Sequence, residues 1–397
     1  MKFSAILLLS SLTSSAFVHA DTASPSPWNW ALRARVESVD DAALARTALA
    51  QTLRLRVSWQ RPLPRGFSIF LEGEAVAELN DRFNSGANGQ VQFPLVPDAR
   101  AIEVNQAALR WRNESGGAAL GRQRINLDNQ RFVGNVGWRQ NEQTFDAFSI
   151  DGAPHARLQL RYHWLDRAQR INGDSARDRL LRERDLDTHL LNVAWVLPVG
   201  TWVSYGYWHN DQDVDAASSR TLGMRYTGTM AAATGQFGWT LEAARQTSWA
   251  DNPADFSHAY LRIEPTLTLH GITGKLGYER LAGNGQHALQ TPLATLHAFN
   301  GWADKFASTP ADGLQDRYLE LSGKWGRGRF ADKLSWSLVG HDYQATARSR
   351  DYGRELDLAF GADLGKGWNG LLKLAEYRSD GFAADTRKVW VQLEWLH

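Results

Sequence analysis

The chain has 397 residues, 44 basic against 43 acidic, and no cysteine. A near-zero net charge offers no footing for nucleic-acid binding, and an exported chain of this kind would stand without disulfides. The aromatic count (17 Trp, 16 Phe, 10 Tyr) beside 34 Gly and only 3 Met departs from an ordinary soluble domain and fits an aromatic-girdled barrel.

Residues 1–20 read as a secretory signal peptide. Lys2 gives the basic start, Phe3 to Leu12 is mostly apolar, and Val18-His19-Ala20 precedes the expected cut. The apolar run is too short to span a bilayer as a helix, and no later segment approaches the ~20 apolar residues such a helix needs. Loss of Lys2 leaves 43 basic and 43 acidic residues over 21–397, which is expected to form a single domain.

Beyond the leader the hydrophobic period is two. In Thr52-Leu53-Arg54-Leu55-Arg56-Val57-Ser58-Trp59-Gln60, the apolar side chains take one face and the arginines and polar groups the other. A helix, with period 3.6, could not keep these faces apart. Eighteen such segments follow one another: 28–40, 50–61, 67–79, 102–113, 118–126, 144–151, 157–166, 187–197, 201–210, 219–229, 236–248, 257–269, 272–282, 315–325, 333–343, 354–363, 370–379 and 386–396. Most run close to the ~9–11 residues that a tilted transmembrane strand needs. Short turns such as Pro62-Leu63-Pro64-Arg65 and Pro198-Val199-Gly200 alternate with long polar loops at 80–101, 127–143, 167–186 and 283–314. Trp28, Trp59, Trp111, Trp195, Trp202, Trp239, Trp325, Trp336, Trp368 and Trp395 gather at the short-turn ends. Core tryptophans would not select one end, whereas an interfacial girdle would. The expectation is an all-β, transmembrane, up-and-down antiparallel barrel of 18 strands, or 16 should 118–126 and 144–151 fail, in the outer membrane of a Gram-negative bacterium.

With the apolar face toward lipid, the other face lines the lumen. The first seven segments then turn inward Arg33, Arg35, Arg54, Arg56, Arg110, Arg112, Arg122, Arg124, Arg157 and Arg161, against Glu37, Glu72 and Glu74. Later segments contribute Arg225, Arg262, Lys275, Lys324 and Lys373, against Glu242, Glu264, Glu279, Glu320, Glu355, Asp357 and Glu394. The guanidinium fork matches carboxylate and phosphate, so a basic lumen suits an anionic solute. The competing reading makes the same arginines braces of the barrel interior.

Two blocks carry a family resemblance. Gly121-Arg122-Gln123-Arg124-Ile125-Asn126, continuing to Trp138-Arg139-Gln140-Asn141-Glu142-Gln143-Thr144-Phe145-Asp146, resembles the alginate export family of outer-membrane channels. So does Thr291-Pro292-Leu293-Ala294-Thr295-Leu296-His297-Ala298-Phe299-Asn300-Gly301-Trp302-Ala303-Asp304. The resemblance implies an eighteen-stranded barrel conducting an anionic polysaccharide such as alginate past an arginine-rich constriction. It matches Arg122 and, less closely, Arg124; the partners it implies are outer-membrane lipid, the solute, and periplasmic export or barrel-assembly components. The chain ends Trp395-Leu396-His397, where such barrels commonly end on Phe.

Other classes find little footing. His163 and His189 fall on strands without a Ser–His motif, so no catalytic residue is expected, and there is no P-loop or dinucleotide fingerprint, hence no cofactor. Asp211-Gln212-Asp213-Val214-Asp215 lacks the Gly and terminal Glu of a calcium loop, so no metal is expected there. A general porin without anionic preference and a barrel hydrolase stand as the alternatives. The loop 283–314, with Phe299 and Trp302, is long enough to occlude a pore.

Overall fold

The computed structural model describes residues 26–325 and 333–397, so the leader peptide lies outside the described residues. The first nine strands are β1 (Trp28–Asp41), β2 (Ala48–Pro62), β3 (Phe67–Glu78), β4 (Ala101–Arg112), β5 (Gly116–Gln123), β6 (Thr144–His155), β7 (Leu158–Gln169), β8 (Glu183–Val196) and β9 (Thr201–His209). The second nine are β10 (Ser219–Ala232), β11 (Gly235–Ser248), β12 (Ser257–Leu269), β13 (Ile272–Leu281), β14 (Leu314–Trp325), β15 (Leu334–Gln344), β16 (Asp351–Gly365), β17 (Trp368–Ser379) and β18 (Thr386–Leu396). Each pairs antiparallel with its neighbour, and β1 pairs with β18 from Ala31↔Leu396 to Asp41↔Thr386, which closes the sheet. Closure leaves no unpaired edge, the condition for a sheet in hydrocarbon. Among the described residues no helix is long and apolar enough to cross a membrane.

Packing is inverted relative to a water-soluble barrel. Leu55, Leu109, Leu160, Leu241, Leu319 and Leu356 are exposed on the outer wall, while Glu37, Glu72, Asp316 and Asp357 are buried inside. Alternation makes this possible, since a period of two separates the faces over the whole strand. Trp28, Trp195, Trp202, Trp325 and Trp368 stand exposed at the short-turn ends, with Trp28 against Trp59 at 6.3 Å and Trp368 against Trp395 at 6.3 Å between ring centroids. The short turns are tight: Gly66, Gly200 and Gly367 adopt positive φ (80°, 97° and 82°), and a Cβ on any of them would strike a facing carbonyl oxygen.

The four long loops behave differently. Loop 170–182 carries a single turn of helix, α1 (Arg179–Arg182), capped by Asp178. Loops 79–100, 124–143 and 282–313 fold into the barrel instead of standing away from it. Their buried residues include Phe83, Val96, Ile125, Leu127, Leu289 and Phe306, so the lumen holds a packed core at its loop end.

Candidate solute channel

The interior is built around two loops that pair with each other. Val133 and Leu293 form a parallel bridge; the Gly134 N–H donates to the Leu293 carbonyl at 2.8 Å and the Thr295 N–H to the Gln130 carbonyl at 3.1 Å. Gln143 donates from its amide to both Gly134 and Leu293 carbonyls. A side-chain Cβ at Gly134 would come within 2.3 Å of the Thr295 hydroxyl, so only glycine lets the loops approach this closely.

Charged groups then fasten the pair to the wall. Arg131 donates to Glu279 on β13 at 2.8 Å and to Asn300 at 3.1 Å. Arg139 bridges Glu37 on β1 at 3.2 Å and Asp304 at 3.1 Å. From loop 282–313, the Ala303 and Trp302 amides donate to Glu355 and Asp357 on β16 at 2.6 and 3.1 Å. His297 stacks on Trp138 with centroids 4.6 Å apart, places one ring nitrogen 2.8 Å from Asp304 and the other 2.9 Å from Lys373 Nζ. Lys373 lies 3.8 Å from the Trp302 ring and 4.1 Å from the Trp138 ring, a cation held by aromatic faces.

Electrostatics follow from burial and these contacts. Burial raises the Asp304 carboxyl, but His297, Lys388 and Arg139 outweigh it and hold the group well below the ordinary carboxylate value. Burial likewise opposes ionisation of Glu142, yet Arg124 and Arg56 bring it down to about 2. Burial lowers His297, and Lys373 and Arg139 add to that against Asp304, leaving the ring well below the usual imidazole value and neutral.

The arginines expected in the lumen divide into groups. Arg54 is 1 % exposed and shares the carboxylate of Glu394 with Arg33, at 2.8 and 3.0 Å. Arg35, equally buried, reaches Asp98 at 3.4 Å and the Trp138 carbonyl at 2.6 Å, so it braces two loops. Arg56 and Arg124 meet a cluster of three acids: Arg56 contacts Glu74, Glu72 and Glu142, and Arg124 contacts Glu72 and Glu142. Arg110 lies over the Phe70 ring at 4.0 Å. Arg112 faces Asp151 at 3.0 Å in the water at the short-turn mouth, and Arg161 stands opposite Asp151 in the next strand.

Arg122 is a correction. It shares the parity of Leu120, which is 59 % exposed on the outer wall and registers with Leu109 and Phe148. Arg122 therefore points outward, donating to Asp146 at 2.8 and 3.1 Å and to the Val104 carbonyl at 3.2 Å. The strand Gly116–Gln123 consists mostly of glycine and alanine, so its own residues mark the phase weakly; pairing with flanking strands decides it. Arg124 reaches the lumen for another reason, because the chain leaves β5 after Gln123 and turns inward.

Sequence reasoning missed Asp98, Arg131, Arg139, Glu142, His297 and Asp304 as wall contacts. All lie in loops, where no period indicates direction; the one available sign was the pair of conspicuous blocks at 138–146 and 291–304. His163 does contact a serine, Ser149 at 2.7 Å, but its second ring nitrogen is buried and finds no partner among the described residues. An acyl-transfer base needs an orienting group there. Asp211 and Asp213, the acidic loop, are taken by Arg184 and Arg179.

Neither a protein-family model nor a curated protein matches the chain. Solved structures do. OccAB4 of Acinetobacter baumannii superposes with a TM-score of 0.73 at 11 % identity, over 93 % of this chain and 97 % of that one. OccK1 (OpdK) of Pseudomonas aeruginosa gives 0.72 at 13 % identity over 93 % and 98 %. OpdK of the same organism determined with vanillate gives 0.72 at 14 % identity, again over 93 % and 98 %. A further OpdK structure is described as an outer membrane protein. At these identities the likeness is one of fold, an outer-membrane barrel of the same architecture, and it lends no specific support to the alginate export resemblance.

Proposed function

We propose that the chain is an outer-membrane channel for small anionic solutes, selected by guanidinium groups along the lumen and narrowed by loops 124–143 and 282–313. The observation that carries this reading is the distribution of inward arginines relative to carboxylates. Arg33 and Arg54 share one Glu394, and the row Arg112, Asp151, Arg161 sets two guanidiniums against one carboxylate. Along such a stretch a solute carboxylate meets a net positive field, and the bonds it makes to a guanidinium are charge-assisted. Around Arg56 and Arg124 the balance reverses, because three acids meet two arginines. Those two therefore brace loop 124–143, as Arg33 does through the Gly137, Trp138 and Arg139 carbonyls, and contact with solute falls to the more accessible Arg110, Arg112 and Arg161.

The vanillate held by OpdK is a small aromatic carboxylate, and a comparable solute suits this lumen better than a polymer. Two loops clasped across the interior leave less room for a polysaccharide than for a single acid. The test is the reversal potential of single channels in a planar bilayer under a salt gradient. Wild type should prefer anions, and an Arg110→Gln, Arg112→Gln, Arg161→Gln triple variant should lose most of that preference. Arg122→Gln, on the outer wall, should leave it unchanged. A cation-selective wild type would overturn the proposal; a reversal potential near zero would favour a general porin.

A further inference from the structure

The outer wall carries a groove of about 750 Å³, lined by Ile263, Pro265, Leu276, Leu319 and Gly340 on its apolar floor. Its origin is local. Pro265 has no N–H to give to β13, and the pairing of β12 with β13 skips from Ile263↔Tyr278 to Thr266↔Lys275. On the far side, Gly340 stands in the outward row Leu276, Leu319, Gly340, Leu356 and supplies no side chain; a Cβ there would meet no atom within 4 Å. The result is an acyl-wide notch between protruding leucines.

The next outward row toward the loops is polar across consecutive strands: Tyr278, Arg317, Asp342, Arg354, Arg378. Arg317 is exposed and has no ion pair among the described residues, whereas Arg354 faces Asp342 at 3.1 Å with its side chain 81 % exposed. Neighbouring strands lie about 4.8 Å apart, so these two arginines, two strands apart, stand roughly 10 Å from each other. An apolar notch capped by cations is the complement of an acylated molecule with an anionic head, since guanidinium forks bind phosphate and exposed apolar grooves take hydrocarbon.

We propose that this groove is a binding site for one phosphorylated glycolipid of the loop-side leaflet, an acyl chain lying over Gly340 and a phosphate on Arg317 and Arg354. The loop-side position selects that leaflet: Arg317 is the fourth residue of β14 from its loop end, and Asp342 the third of β15 from its own. The site is independent of what the lumen conducts.

Native mass spectrometry of the folded protein in detergent, titrated with diphosphorylated lipid A or with phosphatidylethanolamine, tests it. Wild type should retain one lipid A saturably and bind phosphatidylethanolamine at least roughly tenfold more weakly. Gly340→Trp should abolish retention by filling the notch, and Arg317→Ala should weaken it roughly tenfold by removing a charge-assisted contact. Leu191→Trp, on the outer face of β8, should behave as wild type, and unchanged heat-modifiable mobility should show that all variants remain folded. Retention unaffected by both groove substitutions would overturn the proposal, as would equal retention of both lipids. A dimer or trimer in place of the lipid adduct, lost on Gly340→Trp, would assign the groove to a second copy of the chain instead.

Discussion

Acidification from pH 7 to 5 should loosen loop 282–313, and His297 sets the magnitude. In the docked loop the ring is neutral: Nδ1–H donates to Asp304 and Nε2 accepts from Lys373, at 2.8 and 2.9 Å. Burial, with Lys373 and Arg139 behind it, holds the docked ring well below the ordinary value of 6.5, whereas a released loop titrates near 6.5. The released state thus binds more protons as pH falls, so docking is fully favoured above that value and lost progressively below it. For a docked ring that stays neutral, the shift at pH 5 is about 2 kcal/mol, and at pH 7 only a few tenths. The released fraction should rise roughly 25-fold between the two. Asp304 stays ionised, held well below 3.8, and Arg139 keeps its charge because Glu37 and Asp304 more than offset burial; Lys373, the remaining cation on the ring, is retained in a His297→Gln variant, so the difference between the two channels isolates the ring. Single-channel recording gives the measurement, as the occupancy of the state with loop 282–313 displaced. His297→Gln keeps a donor and an acceptor but cannot titrate, so most of the roughly 25-fold rise should disappear across this range. A wild-type channel indifferent to pH between 7 and 5, or a His297→Gln channel with the same response, would refute the reasoning.

Other consequences are more direct. Arg at Leu55 or Leu160, both on the lipid face, should destabilise the folded barrel by about 2–4 kcal/mol in urea unfolding, whereas a polar change at Gln159 should be tolerated. Equal penalties at both faces would contradict the assigned phase. Gly134→Ala should disturb the pairing of loops 124–143 and 282–313 without unfolding the barrel, seen as faster exchange of the Thr295 amide and of the amide at position 134. Anionic preference should fade toward 1 M salt, where the screening length is ~3 Å, with the exposed Arg112 affected before the buried Arg54.

Much of the fold was legible in the chain, and for one reason. A barrel strand has a period of two over ten or more residues, so composition along the segment states which face meets lipid. Eighteen strands occur as alternation indicated, several of them two to four residues longer than the pattern, with the fifth at Gly116–Gln123 rather than 118–126. Phase followed as well at Arg33, Arg54, Arg56, Arg110 and Arg262, where leucine, valine or isoleucine flanks the arginine and marks the lipid side. It failed at Arg122, where Gly121 precedes and Leu120 is the lone bulky marker in β5. There the register to Leu109 and Phe148 turned the guanidinium outward to Asp146.

The loops were legible only as lengths and as candidates. That 283–314 could occlude the pore followed from its size and aromatics; that 124–143 joins it, and that His297, Asp304 and Arg139 form the joint, did not. Loop side chains have no periodic reference, and their directions depend on contacts such as Arg139 to Glu37, 102 residues apart in the chain. Local sequence determined the wall and its two faces because strand geometry is a local constraint repeated eighteen times. Tertiary structure alone decided which arginines brace the loops, because that depends on which carboxylates the folded loops carry into the lumen.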